Sequence, residues 1–273
     1  MQKDTLILLT PPQQLVQAAQ WQGVIAHHCY RIGSGFRLLR SGAPSLKGGL
    51  MVISDTQTGV GPFRPSFCHE VLQECTVRGF SGILLDFDCR LPTLCQCAAG
   101  LNTLCTARHH TLYVPEYYAN AAPNALVLIS SAISGGSLAV RLSQASARFD
   151  PERVVLALQR VREDFSLPAP SGSGVSLSQS QLEQILSVIH PNIFFSSELC
   201  ARYFTYLDHE QGAHFVLFDD LDTLLHKIQI AHRCGIHTIL APWSEVCPAP
   251  RKFGLLPTHC RTPIGKNNFP KYT

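Results

Sequence analysis

The chain has 273 residues, of which 45% are hydrophobic and 15% charged, and its formal net charge is +3. This length and apolar content suffice for one large hydrophobic core. Five Lys or Arg against one acid follow residue 243, so the remainder of the chain carries a charge of −1 and indicates no nucleic-acid surface. Residues 1–20 lack a basic region followed by a long apolar run, and no apolar stretch reaches transmembrane length, so we predict a cytoplasmic protein without a membrane partner.

Short apolar segments alternate with segments of helical periodicity along most of the chain. The predicted strands cover residues 5–9, 24–26, 50–53, 83–88, 112–114, 125–129, 154–158, 214–218 and 238–241. The predicted helices cover residues 13–21, 65–78, 92–107, 137–148, 178–188 and 222–233. This order predicts an α/β protein with parallel strands and covering helices, a (β/α)8 TIM barrel. An open doubly wound sheet is the alternative, but no Gly-x-Gly-x-x-Gly or P-loop pattern follows any strand.

One domain is predicted over residues 1–246, followed by a basic, proline-containing tail over residues 247–273. Residues 168–180, rich in Ser, Gly and Pro, are predicted to be a loop within that domain. The tail has no periodicity, and we expect it to wrap the surface or to be mobile.

The eleven cysteines lack the paired spacing of zinc-binding motifs, so reduced thiols are expected and neither a metal site nor a cofactor is predicted. The neighbouring His27 and His28 point to opposite faces of a strand, so only one of them could line a site.

The segment 79–88 runs from a helix end into a buried strand that finishes on Asp86 and Asp88. Side chains of a strand alternate, so both acids share one face with Leu84. Burying an unpaired carboxylate costs several kcal/mol or shifts its pKa, so Asp86 needs a partner or a polar cavity. The alternative is structural: Asp88 would cap the helix that begins near residue 92, and Asp86 would be tied to a neighbouring strand.

This segment resembles the fourth barrel strand of glycoside hydrolase family 18, which reads Asp-Gly-x-Asp-x-Asp-x-Glu. Ser81, Gly82, Leu84, Asp86 and Asp88 stand at the five defined positions, so the Gly and the last Asp are kept and the terminal Glu is Asp88 here. The resemblance implies that Asp88 is the general acid and that Asp86 holds the acetamido group of the sugar.

Further segments are similar to the same family, in the same order along the chain. Residues 153–158 and 162–168 resemble its seventh strand and the loop of its spore-associated members. Residues 215–220, with Thr223 and Lys227, are similar to its hydrophobic strand, acidic pair, Ser and Lys. Trp243 matches the tryptophan that floors the sugar subsite; its alternative is a core aromatic that closes the barrel.

The departures from the family pattern bear on activity. The family hydrolyses by substrate assistance, in which the N-acetyl oxygen of the sugar attacks the anomeric carbon and an enzyme acid protonates the leaving oxygen. Asp88 withdraws its carboxyl by about 1.5 Å relative to a Glu, and a misplacement of about 1 Å can cost roughly a hundredfold in rate. Residues 130–136 replace the family's Tyr-Asp pair with Ser, Ala, Ile and Gly, and Ser54-Asp55 replaces its Ser-x-Gly-Gly.

We therefore expect a catalytically impaired or inactive family 18-like barrel that binds an amino-sugar glycan, peptidoglycan or chitin-like, or serves in spore or cell-wall assembly. Its cleft would be lined by Asp86, Asp88, Glu116, Tyr117, Asp55 and Trp243. For Glu116 the alternative is an exposed loop acid. Two other functions remain open: an active hydrolase of N-acetylhexosamine polymers with Asp88 as general acid, and a metal-dependent hydrolase that uses the histidines and cysteines.

Overall fold

The structure, a computed structural model, describes residues 4–42, 46–55, 61–168, 174–208 and 212–258. Its main sheet contains β1 (Thr5–Thr10), β2 (Val24–Gly33), β3 (Arg37–Arg40), β4 (Leu50–Ser54), β5 (Gly82–Asp86), β6 (Thr111–Pro115), β7 (Leu126–Ser130), β8 (Val154–Ala157) and β14 (Thr238–Pro242). β3 runs antiparallel to β2, and the other eight strands are parallel. Because β1 pairs with both β14 and β2, these eight strands close into the predicted (β/α)8 barrel.

A second sheet is inserted between β8 and β14. It is antiparallel and contains β9 (Arg162–Leu167), β10 (Val175–Ser176), β11 (Phe194–Ser196), β12 (Ala201–Asp208) and β13 (Gly212–Phe218), in the order β10-β9-β13-β12-β11. The prediction of a barrel strand at residues 214–218 is therefore wrong, because β13 pairs antiparallel with β9 and β12. Residues 162–168, which the resemblance treated as a loop, supply β9.

The helices are α1 (Leu15–Ala18), α2 (Pro65–Arg78), α3 (Pro92–Arg108), α4 (Leu138–Phe149), α5 (Gln179–Ile189), α6 (Leu221–Arg233) and α7 (Trp243–Val246). They lie where helical periodicity was predicted, although α1 is shorter than predicted, and one short helix, α7, is added. Gly79 ends α2 in the left-handed conformation with φ 71°, which a glycine adopts without steric cost. None of the helices in the described ranges is long and apolar enough to cross a membrane.

The apolar core has an inner and an outer layer. Leu84, Val52 and Leu240 belong to the cluster inside the barrel, whereas Ile83, Leu85 and Phe87 pack outward against α2 and α3. Buried strands with both faces covered are typical of parallel barrels. The inner cluster fixes which residues point into the barrel, and therefore which side chains reach its mouth.

The first part of the predicted tail packs on the barrel. The Thr258 amide donates to the Gln20 carbonyl oxygen at 2.8 Å, and Trp21 forms a β-bridge with Pro257. Leu255 is buried in the outer core. Residues 259–273 of the predicted tail, and residues 169–173 of the predicted loop, lie outside the described residues.

Candidate functional site

A cavity of about 330 Å³ opens at the carboxyl ends of the barrel strands. This is the end at which barrel enzymes build their active sites. Its polar lining comprises Asp86, Asp88, Arg90, Glu116, Tyr117, Ser130, Arg141 and Gln159. Leu9, Leu128 and Leu240 form part of its apolar lining and continue the inner core of the barrel.

Asp86 is the last residue of β5 and points into this cavity because it lies two residues after Leu84, an inner-core residue. Its side chain keeps 40% of its accessible surface, and His28 Nε2 lies 3.4 Å from Asp86 Oδ2. Burial raises the pKa of Asp86 above its ordinary value, His28 lowers it, and the charges of Asp88 and Asp55 raise it further. The carboxyl group at the cavity therefore holds its proton to a higher pH than an exposed aspartate does.

His28 reaches Asp86 from β2, across the width of β4. His28 lies two residues after Ala26, which belongs to the inner core, so strand alternation places His28 on the inner face, and the register of β2 against β4 shifts between His27 and Tyr30. His27 is 1% exposed and packs edge-on against Phe80. The alternation argument is thus consistent with the structure, in which one of the two histidines contacts the site.

Asp88 lies two residues beyond the end of β5 and is exposed at the rim of the cavity. The backbone amides of Asp88 and Cys89 donate to Asp55 Oδ1 and Oδ2 at 3.0 and 2.8 Å. The N-cap position of α3 is Leu91 and no side chain caps it, so the alternative role of Asp88 as a helix cap is wrong.

Asp55 does not line the cavity, contrary to the sequence-based expectation. It is 4% exposed, and both of its carboxylate oxygens accept backbone amides of the segment that follows β5. Its position follows from strand alternation, because Leu50 and Val52 face the barrel interior and Asp55 has the opposite parity. Asp55 therefore fixes the loop that carries Asp88.

Glu116 and Tyr117 begin the 3-10 turn that follows β6, and both line the cavity. Glu116 Oε2 accepts from Arg141 Nη2 at 2.8 Å, so the acid is not a free loop carboxylate. The Tyr117 hydroxyl donates to the Phe87 carbonyl oxygen, and the Arg90 guanidinium lies 4.8 Å from the centre of the Tyr117 ring. Burial raises the pKa of Tyr117, so its hydroxyl stays protonated as a donor.

Trp243 also lies away from the cavity. It is 1% exposed, packs in the outer core, and donates through Nε1 to Gln17 Oε1 at 3.3 Å. Leu240 of β14 faces inward and Pro242 lines the cavity, so residue 243 has the outward parity. The expectation that Trp243 floors a sugar subsite is wrong, and the alternative of a core aromatic is correct.

The sequence-based prediction missed four polar residues of the cavity: Arg90, Ser130, Arg141 and Gln159. Ser130 ends β7 and donates to Gln159 Oε1 at 2.6 Å. This neutral pair occupies the region where the family resemblance leads one to look for a phenol and a carboxylate. The position of Ser130 and Gln159 at the ends of adjacent predicted strands was the available signal.

Within the described ranges, one group of side chains has the composition and spacing of a metal site: Asp4, His232 and His237. It lies at the amino ends of β1 and β14, the opposite end of the barrel from the cavity. The described cysteines are all free thiols.

The strand order, the closed barrel and the carboxyl-end cavity define a (β/α)8 barrel. No protein-family model matches the sequence, and no curated protein matches it. Solved structures do match the fold. The spore cortex-lytic enzyme SleL of Bacillus megaterium QM B1551 matches over 88% of this chain and 70% of its own, with 13% identity and a TM-score of 0.60.

Two chitinases show the same similarity. The chitinase of Chromobacterium violaceum ATCC 12472 matches over 87% of this chain and 93% of its own, with 13% identity and a TM-score of 0.61. The class V chitinase of tobacco, solved in complex with NAG4, matches over 93% of this chain and 99% of its own, with 12% identity and a TM-score of 0.62. At these identities the comparison establishes a shared barrel fold.

Proposed function

We propose that this chain binds an amino-sugar glycan in the cavity at the carboxyl ends of its strands, and that its power to hydrolyse the glycan is impaired. The observation that carries the proposal is the recessed carboxyl of Asp86 at the end of β5, in a cavity of about 330 Å³. That volume is at the lower end of the range for small-molecule sites. The fold is shared with chitinases and spore cortex-lytic enzymes, including one solved with a chitin oligosaccharide.

The polar groups of the cavity suit a sugar that carries hydroxyl and acetamido groups. Asp86 accepts hydrogen bonds when ionised and donates one when protonated. Arg141 supplies a guanidinium group and Gln159 an amide group to the cavity lining. The Tyr117 ring supplies an apolar surface. A sugar bound between these walls would exchange bonds to water for bonds to fixed groups.

Impaired hydrolysis follows from the position of the second acid. Asp88 is exposed at the rim and is one methylene shorter than the glutamate of the resembled motif. A carboxyl displaced by about 1 Å from the leaving oxygen costs roughly a hundredfold in rate. The neutral Ser130–Gln159 pair offers neither a phenol nor a carboxylate to the developing positive charge of the sugar ring.

The peptidoglycan variant of this proposal, with a role in spore or cell-wall assembly, is supported by the shared fold with SleL. The chitin-like variant is supported by the shared fold with the two chitinases. The two glycans share N-acetylglucosamine, and a binding assay with defined fragments of each separates them.

A second function, active hydrolysis, is favoured by one observation. Asp88, the general acid of this alternative, lines the same cavity as Asp86, whose pKa is raised by burial. In that case the variant Asp88→Asn would abolish turnover of a fluorogenic chitobioside.

The test is isothermal titration of the purified chain with N-acetylglucosamine tetramer and with muropeptides, in parallel with the chitobioside assay. We expect binding without measurable turnover, and about tenfold weaker binding in Asp86→Asn because a hydrogen bond to a charged group is worth about 1.5–3 kcal/mol. Glu70→Gln, an exposed acid on α2, is the matched control and should bind as the parent chain does. Binding that is absent from the parent chain, or unchanged in Asp86→Asn, would contradict the proposal.

A further inference from the structure

The seam where the barrel closes brings together three side chains from distant parts of the chain. In the β1–β14 pairing Thr5 lies opposite Thr238, and the Thr5 amide donates to the His237 carbonyl oxygen at 2.9 Å. Asp4 and His237, the residues that precede each strand, are thereby held side by side. His232 lies in the last turn of α6, and Gly235 turns the chain back toward β14 with φ +77°.

The donor atoms of these side chains converge. Asp4 Oδ1 lies 2.9 Å from His237 Nδ1 and 3.6 Å from His232 Nε2. All three atoms lie within 4.8 Å of one another, and the two imidazole rings stack with centroids 5.6 Å apart. Ligands of a tetrahedral zinc ion, bound at 2.0–2.2 Å, are separated by about 3.3–3.6 Å. The two separations from Asp4 lie within a few tenths of an ångström of this range, and the separation of the two imidazole nitrogens is at most 4.8 Å.

One nitrogen of the group lacks a hydrogen-bond partner among the described residues. His232 Nε2 is buried, and its 3.6 Å distance to Asp4 Oδ1 is too long for a hydrogen bond. A buried polar atom without a partner is a cost to the folded state. A bound cation would accept this lone pair and remove that cost.

The group also has room for a further ligand. A cavity of about 530 Å³, lined in part by Asp4, His232, Gln22 and Phe253, lies beside it. The side chain of Asp4 is 59% exposed, so solvent reaches the carboxylate. A site with three protein ligands and one open position would take water as its fourth ligand.

We propose that Asp4, His232 and His237 bind a divalent first-row transition ion, for which Zn²⁺ is the probe. Two imidazoles and one carboxylate suit the ions of this group, whereas Ca²⁺ and Mg²⁺ prefer oxygen ligands alone. The ion would tie together β1, β14 and the end of α6. It lies at the amino ends of the strands, where barrel residues serve stability rather than catalysis, so the expected effect of binding is a more stable barrel.

The experiment uses the full chain, freed of metal by a chelator and kept reduced. Titration calorimetry with ZnCl₂ should give one site per chain, and Zn²⁺ should raise the temperature of thermal unfolding. His232→Ala and His237→Ala should each lower the affinity about tenfold or more and lose the thermal shift. His69→Ala, which removes an exposed histidine on α2, is the matched control and should keep both.

Two further measurements separate this site from the thiols and from misfolding. Co²⁺ should give visible d–d bands without thiolate-to-cobalt charge transfer, because no cysteine belongs to the group. Asp4→Asn changes an exposed side chain, so it should leave the far-ultraviolet circular dichroism intact while weakening Zn²⁺ binding. Binding that persists in the His232→Ala/His237→Ala double variant, a thiolate spectrum, or no binding by the parent chain would overturn the proposal.

Discussion

Two apolar strands of this chain end on a pair of acids, and the structure treats the two pairs in opposite ways. After β5, Asp86 opens into the cavity and Asp88 is exposed at its rim. After β13, Asp219 is 2% exposed and Asp220 caps the amino end of α6. In sequence the two segments are similar, yet only the first contributes to a candidate site.

The partners of Asp219 explain its burial. Lys227 Nζ lies 2.6 Å from Asp219 Oδ2, and the Val161 amide donates to the same oxygen at 2.8 Å. The Thr223 hydroxyl donates to Asp219 Oδ1 at 2.9 Å. Both oxygens are thus satisfied, and the buried ion pair joins the start of the inserted sheet to α6. A carboxylate with this many fixed partners stabilises the folded structure and has no free oxygen for a ligand.

Asp86 differs because its contact is with the imidazole of the partly exposed His28, whose Nε2 lies 3.4 Å from Asp86 Oδ2. Its carboxyl is recessed enough for burial to raise its pKa, and open enough to meet a ligand. The comparison shows that the partners of a strand-end acid, rather than its motif, decide whether the acid is structural or available for chemistry.

The largest expected effect on stability comes from breaking the buried ion pair of Asp219 and Lys227. Lys227→Met leaves Asp219 buried without its cation, and removal of one partner from a buried ion pair costs about 3–5 kcal/mol. The free energy of unfolding should fall by that amount in urea denaturation. Lys252→Met, at an exposed lysine, is the control and should change stability by less than about 0.5 kcal/mol.

The double variant Lys227→Met/Asp219→Asn tests the reason for that loss. It removes the unpaired charge together with its partner, so it should be more stable than Lys227→Met alone. If Lys227→Met unfolds at the same urea concentration as the parent chain, Asp219 does not depend on Lys227 as a buried partner. The contrast with Asp86 would then disappear.

A smaller effect is expected at Asp55, the third strand-end acid. Asp55→Asn keeps one oxygen acceptor and loses the other, so one of the backbone amides of Asp88 and Cys89 loses its charged partner. We expect a loss of about 1–3 kcal/mol in the free energy of unfolding. Glycan binding that is lost with no change in stability would instead assign Asp55 to the site.

A still smaller effect, with a definite dependence on pH, is expected at Asp86. Its folded-state pKa is raised, so the contribution of this group to stability is greatest below its unfolded value of about 4 and is lost as the pH rises through the folded value. Asp86→Asn does not titrate. The stability of the variant relative to the parent chain should therefore increase from pH 4 to pH 7.

The size of that change should stay below about 1 kcal/mol, because the carboxyl keeps 40% of its surface and solvent screens its charge. Urea denaturation of both proteins at the two pH values measures it. A variant whose relative stability fell toward pH 7 would show that the folded state favours the ionised carboxylate of Asp86.

The barrel could be predicted because its strands are short apolar runs whose ends align at one edge. The inserted sheet was missed because its strands are mixed in polarity: β9 begins Arg162-Glu163-Asp164, and its pairing with β13 depends on residues about 50 positions apart. Local periodicity does not reveal such antiparallel partners.

The site was predicted in part for a related reason. Alternation along β5 correctly directed Asp86 inward, and the same rule applied to β4 and β14 would have directed Asp55 and Trp243 outward. That step requires knowing which face of each strand is the inner one, and the sequence shows both faces as equally apolar. Arg141 comes from α4 and reaches the cavity only through the packing of that helix.

The smallest expected effect on stability lies at the Glu116–Arg141 ion pair. This pair lines the cavity, so it tests whether charges there are less important for folding than the buried Asp219–Lys227 pair. Their side chains keep 32% and 40% of their surfaces, and a pair this exposed contributes about 0–1 kcal/mol. Arg141→Gln should therefore change the free energy of unfolding by less than about 0.5 kcal/mol while it weakens binding of N-acetylglucosamine tetramer. Arg108→Gln, at an exposed arginine in the last turn of α3, should change neither quantity. If Arg141→Gln instead destabilised the chain as strongly as Lys227→Met, the charges around the cavity would be needed for folding. The distinction between the cavity acids and the buried Asp219 would then fail.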